Sequence, residues 1–358
     1  MKVIILAPTP PPIGGISIWT ERMLNSTLKN NWTIKIVDEK ILGNREVFGK
    51  KSKKKYLMEI KRTLNIWKNL NEAIKDPDVT VVHSCIPSHT LSMLREFGCA
   101  VITKMHKKAF IIHFRCTVPN ITKSKFGIFV LKKLCCKSDL IIALNHKTKN
   151  FLKQLIKTDI EIIPNFINDD EIRDKHYIRK NIKNVVYVGG VVKEKGCEDI
   201  IEVAKRFEKI NFFLIGNVDK EFVERNNLNN VYFTGVMNHN EIQKMLDEAD
   251  IFMFLSYFSG EGFSNALLEA MSNGLPCIVS DWAANKDMIE NRGGIVVPIK
   301  SISSVIEALK EEENYENRKK QSSFNINKVR NEYSKRIILD RYVDCYEKVI
   351  KKYINLTV

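Results

Sequence analysis

Short runs of apolar and β-branched residues alternate along the chain with longer stretches whose apolar positions recur every three or four residues. In the first half the short runs are "KVIILAP", "WTIKIVD", "VTVVHS", "AFIIHF" and "LIIAL". In the second half they are "NVVYVGG", "NFFLIG", "VYFTG", "IFMFLS", "PCIVSD" and "GIVVP". Runs apolar on both faces predict strands covered on both sides, and helical patterns between them predict parallel sheets of the α/β class. Two such series predict two doubly wound, Rossmann-like domains, over 1–165 and 166–335, with the boundary near "IIPNFINDDE", residues 162–171. In such sheets ligands bind beyond the carboxyl ends of the strands, which places the expected site in the cleft between the domains.

Two helical patterns stand apart. The C-terminal one has Ile338, Tyr342, Cys345, Val349 and Tyr353 at helical spacing, and residues 336–358 are expected to pack back on the first domain. The other spans residues 50–75, with Leu57, Ile60, Leu64, Trp67 and Ile74 on one stripe and lysines crowding its start. That stripe reads either as a helix packed on the first sheet or as a surface leaning on anionic lipid, where each nearby cation is worth about 1 kcal/mol.

Charge sharpens the second reading. The 358 residues carry 57 Lys and Arg against 42 Asp and Glu, a net +15. Residues 1–165 hold 29 basic and 12 acidic side chains (29 − 12 = +17), and residues 166–358 hold 28 and 30 (28 − 30 = −2). A half this basic points to a polyanionic partner, a membrane surface or nucleic acid. Aromatic residues are not interleaved with the basic run as base-stacking platforms require, so no nucleic acid is expected. The eight cysteines lack metal or redox spacing, and no run reaches the about 18 apolar residues of a spanning helix. The start does not read as a signal peptide. The expected location is cytoplasmic, at the inner face of the cell membrane.

Candidate chemistry concentrates in "SYFSGEGFSNALLEAMSNGLPCIVSD", Ser256 to Asp281. Gly260 and Gly262 put Glu261 in a loop, Ser264 and Asn265 are N-cap types, and Gly274 closes the helix that follows. One carboxylate, Glu261, thus stands at a helix mouth and the other, Glu269, lies a turn inside. A helix mouth favours an anion such as phosphate, and a flanking carboxylate can bind hydroxyls. The alternative is a capped helix with two solvated glutamates. Upstream, "YVGGVVKEKG" places Gly189 and Gly190 in a turn after a strand, with Lys195 poised to hold a phosphate as a point charge.

Taken in order, "YVGG…KEKG", "FFLIG", "VYFTGVMNHNEIQKMLDEADIFMFLS", "EGFSNALLEAMSNGLPCIVSD" and "GGIVVP" resemble the family 4 glycosyltransferases, which retain anomeric configuration and adopt the GT-B fold. The resemblance covers residues 185–310 and extends loosely to "LAPTPPPIGGI" and "IIPNFI". It implies that Glu261 meets donor-sugar hydroxyls near the reacting carbon, and that Gly262, Phe263, Ser264 and Asn265 line the sugar and phosphate. It implies that Glu269 binds the ribose, that Gly189, Gly190 and Lys195 serve the diphosphate, and that Gly15 approaches it from the first domain. The family also has a His at a strand end of the first domain. His113 with Arg115 is favoured over His83 and His106 for a catalytic place there. Where the family carries Arg, this chain has Gly190; Arg115 or Lys193 is the expected replacement.

The resemblance further implies a nucleotide-diphosphate sugar as donor and a polyprenyl-linked or other saccharide as acceptor, as in capsule or O-antigen synthesis. No cofactor and no metal are expected, because Lys195 and helix-mouth N–H groups can carry the leaving diphosphate and no Asp-x-Asp motif occurs. The rival readings are a GT-B epimerase or phosphorylase, a non-catalytic partner subunit prompted by Gly190, and a nucleic-acid-binding protein.

Overall fold

A computed structural model describes residues 1–11, 14–40 and 53–355, with backbone alone for 53–56 and 354–355. It divides into two units: Met1–Pro164 with Ile338–Val358, and Asn165–Ile337.

The first unit is built on six parallel strands: β1 (Lys2–Ala7), β2 (Thr33–Asp38), β3 (Val79–Ile86), β4 (Ala109–Phe114), β5 (Leu140–Ala143) and β6 (Ile160–Ile162), in the order β2-β1-β3-β4-β5-β6. The second carries β7 (Asn184–Val188), β8 (Asn211–Ile215), β9 (Val231–Gly235), β10 (Ile251–Phe254), β11 (Cys277–Ser280) and β12 (Gly294–Val297), in the order β12-β11-β10-β7-β8-β9. Both are the doubly wound sheets that the alternation predicts. The wholly buried apolar runs are central strands such as β4 and β10. The strand "IEI" of β6 escaped sequence reading because it is three residues long and carries a glutamate at its centre.

Each order reverses direction at one point. In the first sheet the reversal falls between β1 and β3, and in the second between β7 and β10. Chains leaving adjacent strands there diverge to opposite faces and open a crevice at the carboxyl ends.

Around the first sheet pack helices α1 (Gly15–Leu24), α2 (Lys53–Ala73) and α3 (Thr90–Met105). The stripe read from the sequence of residues 50–75 divides: its end, at Ile74, is buried as a packed helix requires, and its start is not. Ile66, Leu70, Ala73 and Ile74 enter the core, whereas Leu57, Ile60 and Leu64 are exposed by 55–68%. Trp67 stands between the two faces, half-buried, and its Nε1 donates to the Arg95 carbonyl of α3 at 3.0 Å. Its ring lies against Gly98, where a Cβ would come within 2.3 Å of it. Lys50 and Lys51 lie outside the described residues, as do the side chains of Lys53, Lys54 and Lys55.

The C-terminal helix, Lys335–Asn355, buries Ile338, Tyr342, Cys345 and Val349 as its spacing predicts, and Leu339, Val343 and Tyr346 beside them. Tyr342 and Tyr346 reach the carboxyl half of the first sheet. The Trp19 Nε1 donates to Tyr342 Oη at 3.2 Å, and Tyr346 Oη lies 2.8 Å from His83 Nδ1.

Candidate active site

In the second unit the loops leaving β7 and β10 bring the motif residues together. After β7 the chain makes a short turn, Lys193–Lys195, closed by Gly196 at φ +78°. A Cβ at Gly196 would sit 2.4 Å from the Leu255 carbonyl, so only glycine lets this turn lie against the end of β10. The Tyr257 N–H donates to the Glu194 carbonyl at 2.9 Å and ties the two loops. Lys195 Nζ consequently forms an ion pair with Glu261 Oε1, which also accepts from Ser256 Oγ at 3.1 Å. The ammonium lies over the Phe258 ring, 5.0 Å from its centroid. Both partners are largely enclosed, with side chains 24% and 12% exposed.

Glu261 lies in the loop, as Gly260 and Gly262 require. The helix that follows is Asn265–Ser272, capped by Ser264, whose Oγ accepts from the Leu267 N–H at 3.2 Å. Glu269 is in its second turn and half-buried. Phe263 is buried with its ring edge-on to Tyr333, centroids 5.1 Å apart.

Several residues that hold this loop carried no sequence signal. Asn165 Nδ2 donates to the Phe263 carbonyl at 2.8 Å and to Asn265 Oδ1 at 2.7 Å. Trp282 Nε1 donates to the Phe258 carbonyl at 2.7 Å, and Ser280 Oγ to the Ser256 carbonyl at 2.6 Å. Only the hinge string "IIPNFI" hinted at Asn165, and it said nothing of the partners.

Gly190 leaves the side-chain direction open, with nothing within 4 Å of a Cβ there. The two cations expected to stand in for the family arginine are Lys193 and Arg115. Lys193 pairs with Glu198 at 2.9 Å and is exposed. Arg115 belongs to the first unit and is buried.

Also in the first unit, Gly15 opens α1 behind the cap residue Gly14, and the Ser17 hydroxyl closes the turn on Gly14. His113 is wholly buried, and both its nitrogens are engaged. Arg115 Nη1, which can only donate, lies 3.2 Å from His113 Nε2. The His113 proton is therefore on Nδ1 and is given to His83 Nε2 at 3.1 Å. His83 in turn carries its own proton on Nδ1, toward Tyr346 Oη. Burial, reinforced by the Arg115 cation, pushes His83 down to about 3 and His113 well below the usual imidazole range. His106, in contrast, caps the end of α3 in solvent and meets Asn71 Oδ1 at 2.9 Å.

Cys85 Sγ lies 3.6 and 3.8 Å from these ring nitrogens, so His83, Cys85 and His113 form a group of metal-ligand types among the described residues. A cation between the rings would move the His113 proton to Nε2, against the Arg115 guanidinium. The neutral, hydrogen-bonded pair is the arrangement that this donor forces.

Two family models match the chain, "Glycosyltransferase Family 4" over residues 19–171 and "Glycosyl transferases group 1" over 168–328. An Escherichia coli UDP-Gal:α-D-GlcNAc-diphosphoundecaprenol α-1,3-galactosyltransferase is 28% identical over 71% of this chain and 70% of its own length. A Bacillus subtilis (strain 168) protein assigned to teichuronic acid biosynthesis as a glycosyltransferase, TuaC, is 21% identical over 65% of this chain, and the match spans 60% of that protein. Among solved structures, sucrose-phosphate synthase from Thermosynechococcus elongatus superposes with a TM-score of 0.79 at 14% identity, covering 98% of this chain and 100% of its own. The fold is GT-B.

Proposed function

Because the chain belongs to the family 4 glycosyltransferases, we propose that it moves a hexosyl group, with retention, from a uridine-diphosphate sugar to a saccharide carried on a polyprenyl diphosphate, in building a bacterial surface polysaccharide. The observation that carries this reading is the Lys195–Glu261 pair beyond the carboxyl ends of the adjacent strands β7 and β10. The uridine donor and lipid-linked acceptor rest on the name of the E. coli relative, and the surface-polysaccharide role on both relatives.

Without donor, Glu261 neutralises Lys195. A diphosphate takes the lysine over, and the released carboxylate then accepts from hydroxyls of the sugar next to the reacting carbon. The mouth of the helix Asn265–Ser272 adds N–H dipoles toward the phosphate, and Glu269 holds the ribose. As the bond between the anomeric carbon and phosphate oxygen breaks, negative charge grows on the diphosphate, where Lys195 and these dipoles stabilise it. The acceptor oxygen bonds to the same face of the anomeric carbon, and its proton passes to the leaving phosphate oxygen. No protein base and no metal are required for that balance. His113 serves as a positioning residue for Arg115, since its ring is enclosed.

Thermal stabilisation by UDP, GDP, ADP and their sugars tests the reading. A ligand at a hundred times its Kd adds about 2.7 kcal/mol to the folded state. UDP compounds alone should raise the melting point, and Lys195→Ala and Glu269→Ala should abolish the rise. Glu261→Gln, which frees Lys195, should bind UDP more tightly while losing transfer. Stabilisation by none of the nucleotides would favour a non-catalytic subunit, with Gly190 as its mark.

A further inference from the structure

Lys195 is seated on aromatic rings as well as on a carboxylate. Its ammonium lies 5.0 Å from the centroid of the Phe258 ring and 6.0 Å from that of Phe254, the last residue of β10. Phe254 is part of the core, whereas Phe258 is half-buried in the loop that leads to Glu261. The face of a ring attracts a cation without offering a lone pair. It therefore holds the lysine without occupying any of the ammonium's three donors.

The Phe258 ring is held in place from several sides. A Cβ at Gly260 would come within 2.5 Å of it, so a side chain there would displace the ring. The Phe258 carbonyl accepts from the Glu261 N–H at 3.1 Å and from Trp282 Nε1 at 2.7 Å. The indole arrives from a tight turn after β11, in which the Trp282 N–H donates to the Ser280 carbonyl at 2.8 Å and Ala283 takes φ +53°. That is the left-handed region, where a Cβ crowds the following carbonyl oxygen and an alanine is strained. Such strain persists only where the surroundings impose it, and it gathers at functional sites. Here the buried Asn285 imposes it, with Nδ2 donating to the Ser280 carbonyl at 3.1 Å. Ser280 Oγ in turn donates to the carbonyl of Ser256, whose own hydroxyl holds Glu261. The ring and the carboxylate that meet Lys195 are thus both tied to the turn after β11.

We propose that Phe258 is a positioning residue for the donor: its ring keeps the Lys195 ammonium in place while the lysine changes partner from Glu261 to the diphosphate, and Trp282 fixes the ring from the turn after β11. The inference rests on the donor reading above and adds the groups that keep the lysine aimed. When the carboxylate turns to the sugar, the ammonium loses its ion pair while the ring stays beneath it. A lysine whose flexible stem is already ordered gives up less freedom on meeting the phosphate. A neutral floor suits this exchange, since a second carboxylate would compete with the diphosphate for the same cation.

The test is titration calorimetry of the full chain with UDP, for Phe258→Leu, Phe258→Tyr and Trp282→Phe beside the parent. Leucine keeps an apolar side chain and removes the π face, whereas tyrosine keeps the face. Phe258→Leu should weaken UDP binding about tenfold, within the range of a partly enclosed cation–π contact, and Phe258→Tyr should stay within about twofold of the parent. Trp282→Phe, which lacks the indole N–H, should weaken UDP by a smaller factor, and it carries the same test should the leucine variant not fold. A second readout needs no nucleotide. Acetylation of Lys195 by acetic anhydride, followed on its peptide by mass spectrometry, should quicken in Phe258→Leu, where the ring no longer covers and holds the amine, and not in Phe258→Tyr. Parent-like UDP binding by Phe258→Leu, or by Trp282→Phe in its place, overturns the proposal and leaves the donor reading standing, as does an equal loss in the leucine and tyrosine variants. A chain that no nucleotide stabilises would sink the donor reading and the role proposed for Phe258 with it, while ring-dependent acetylation would still keep Phe258 as the seat of Lys195.

Discussion

Asn165 makes two hydrogen bonds from one amide nitrogen and so joins the start of the second unit to the backbone and cap of the Glu261 loop. Truncation leaves the Phe263 carbonyl and the Asn265 side chain without that donor. Asn165→Ala should cost about 1–3 kcal/mol of stability. As a positioning residue it should also raise the KM for the donor roughly three- to tenfold with a smaller fall in kcat, because the loop is disordered before binding rather than altered in its chemistry. A lower melting point with an unchanged KM would confine Asn165 to stability. At this scale Lys195 and Glu261 were legible, because lysine before glycine and a glutamate between glycines are local patterns. Their ion pair was not, since 66 residues separate them and only the adjacency of β7 and β10 closes the distance. The replacement cations Arg115 and Lys193 were chosen by type alone; the sequence did not foretell that they meet His113 and Glu198.

At the scale of elements, β3, β4, α1 and the C-terminal helix enclose a polar cluster. His83 and His113 hydrogen-bond in line with Tyr346 and Arg115, and Trp19 packs edge-on against both rings. Both rings are neutral in the folded chain and would take up protons once unfolded, below the ordinary value of 6.5. The unfolded state therefore binds more protons between 6.5 and the folded values, near 3 for His83, and stability falls as pH drops through that window. Each ring costs about 1.4 kcal/mol per pH unit. The melting point followed from pH 7 to pH 4 should decline, and His83→Asn should make the decline shallower. An identical slope in the variant would mean that His83 does not titrate in this window. The helix pattern of α2 shows where element-level reading stops: periodicity located a stripe, but the sheet took the neighbouring face, through Ile66 and Leu70.

Over the whole molecule the charge is uneven, with +17 on residues 1–165 against −2 on the remainder. No helix among the described residues is long and apolar enough to cross a membrane. A basic surface can still hold to anionic lipid, and Phe126 and Phe129, 60% and 55% exposed, accompany Lys132 and Lys133 on the first unit. Co-sedimentation should detect binding to vesicles containing phosphatidylglycerol, weakened several-fold between about 0.05 and 0.5 M salt as the Debye length shrinks. Equal binding to neutral vesicles would remove the electrostatic account.

By itself the sequence determined the α/β class, two doubly wound sheets, the family and the glycine-bounded turns, because these follow from periodicity and from backbone conformations that few residues tolerate. It placed Glu261 in a loop and Glu269 on a helix for the same reason. Tertiary structure alone decided which cation meets which carboxylate, that His113 is enclosed and its proton directed by Arg115, and that the sheet covers the face of α2 that carries Ile66 and Leu70. Those outcomes depend on strand order and on which face of a helix the sheet covers. Both arise from contacts between residues far apart in the chain, where no local pattern of hydrophobicity or spacing reaches.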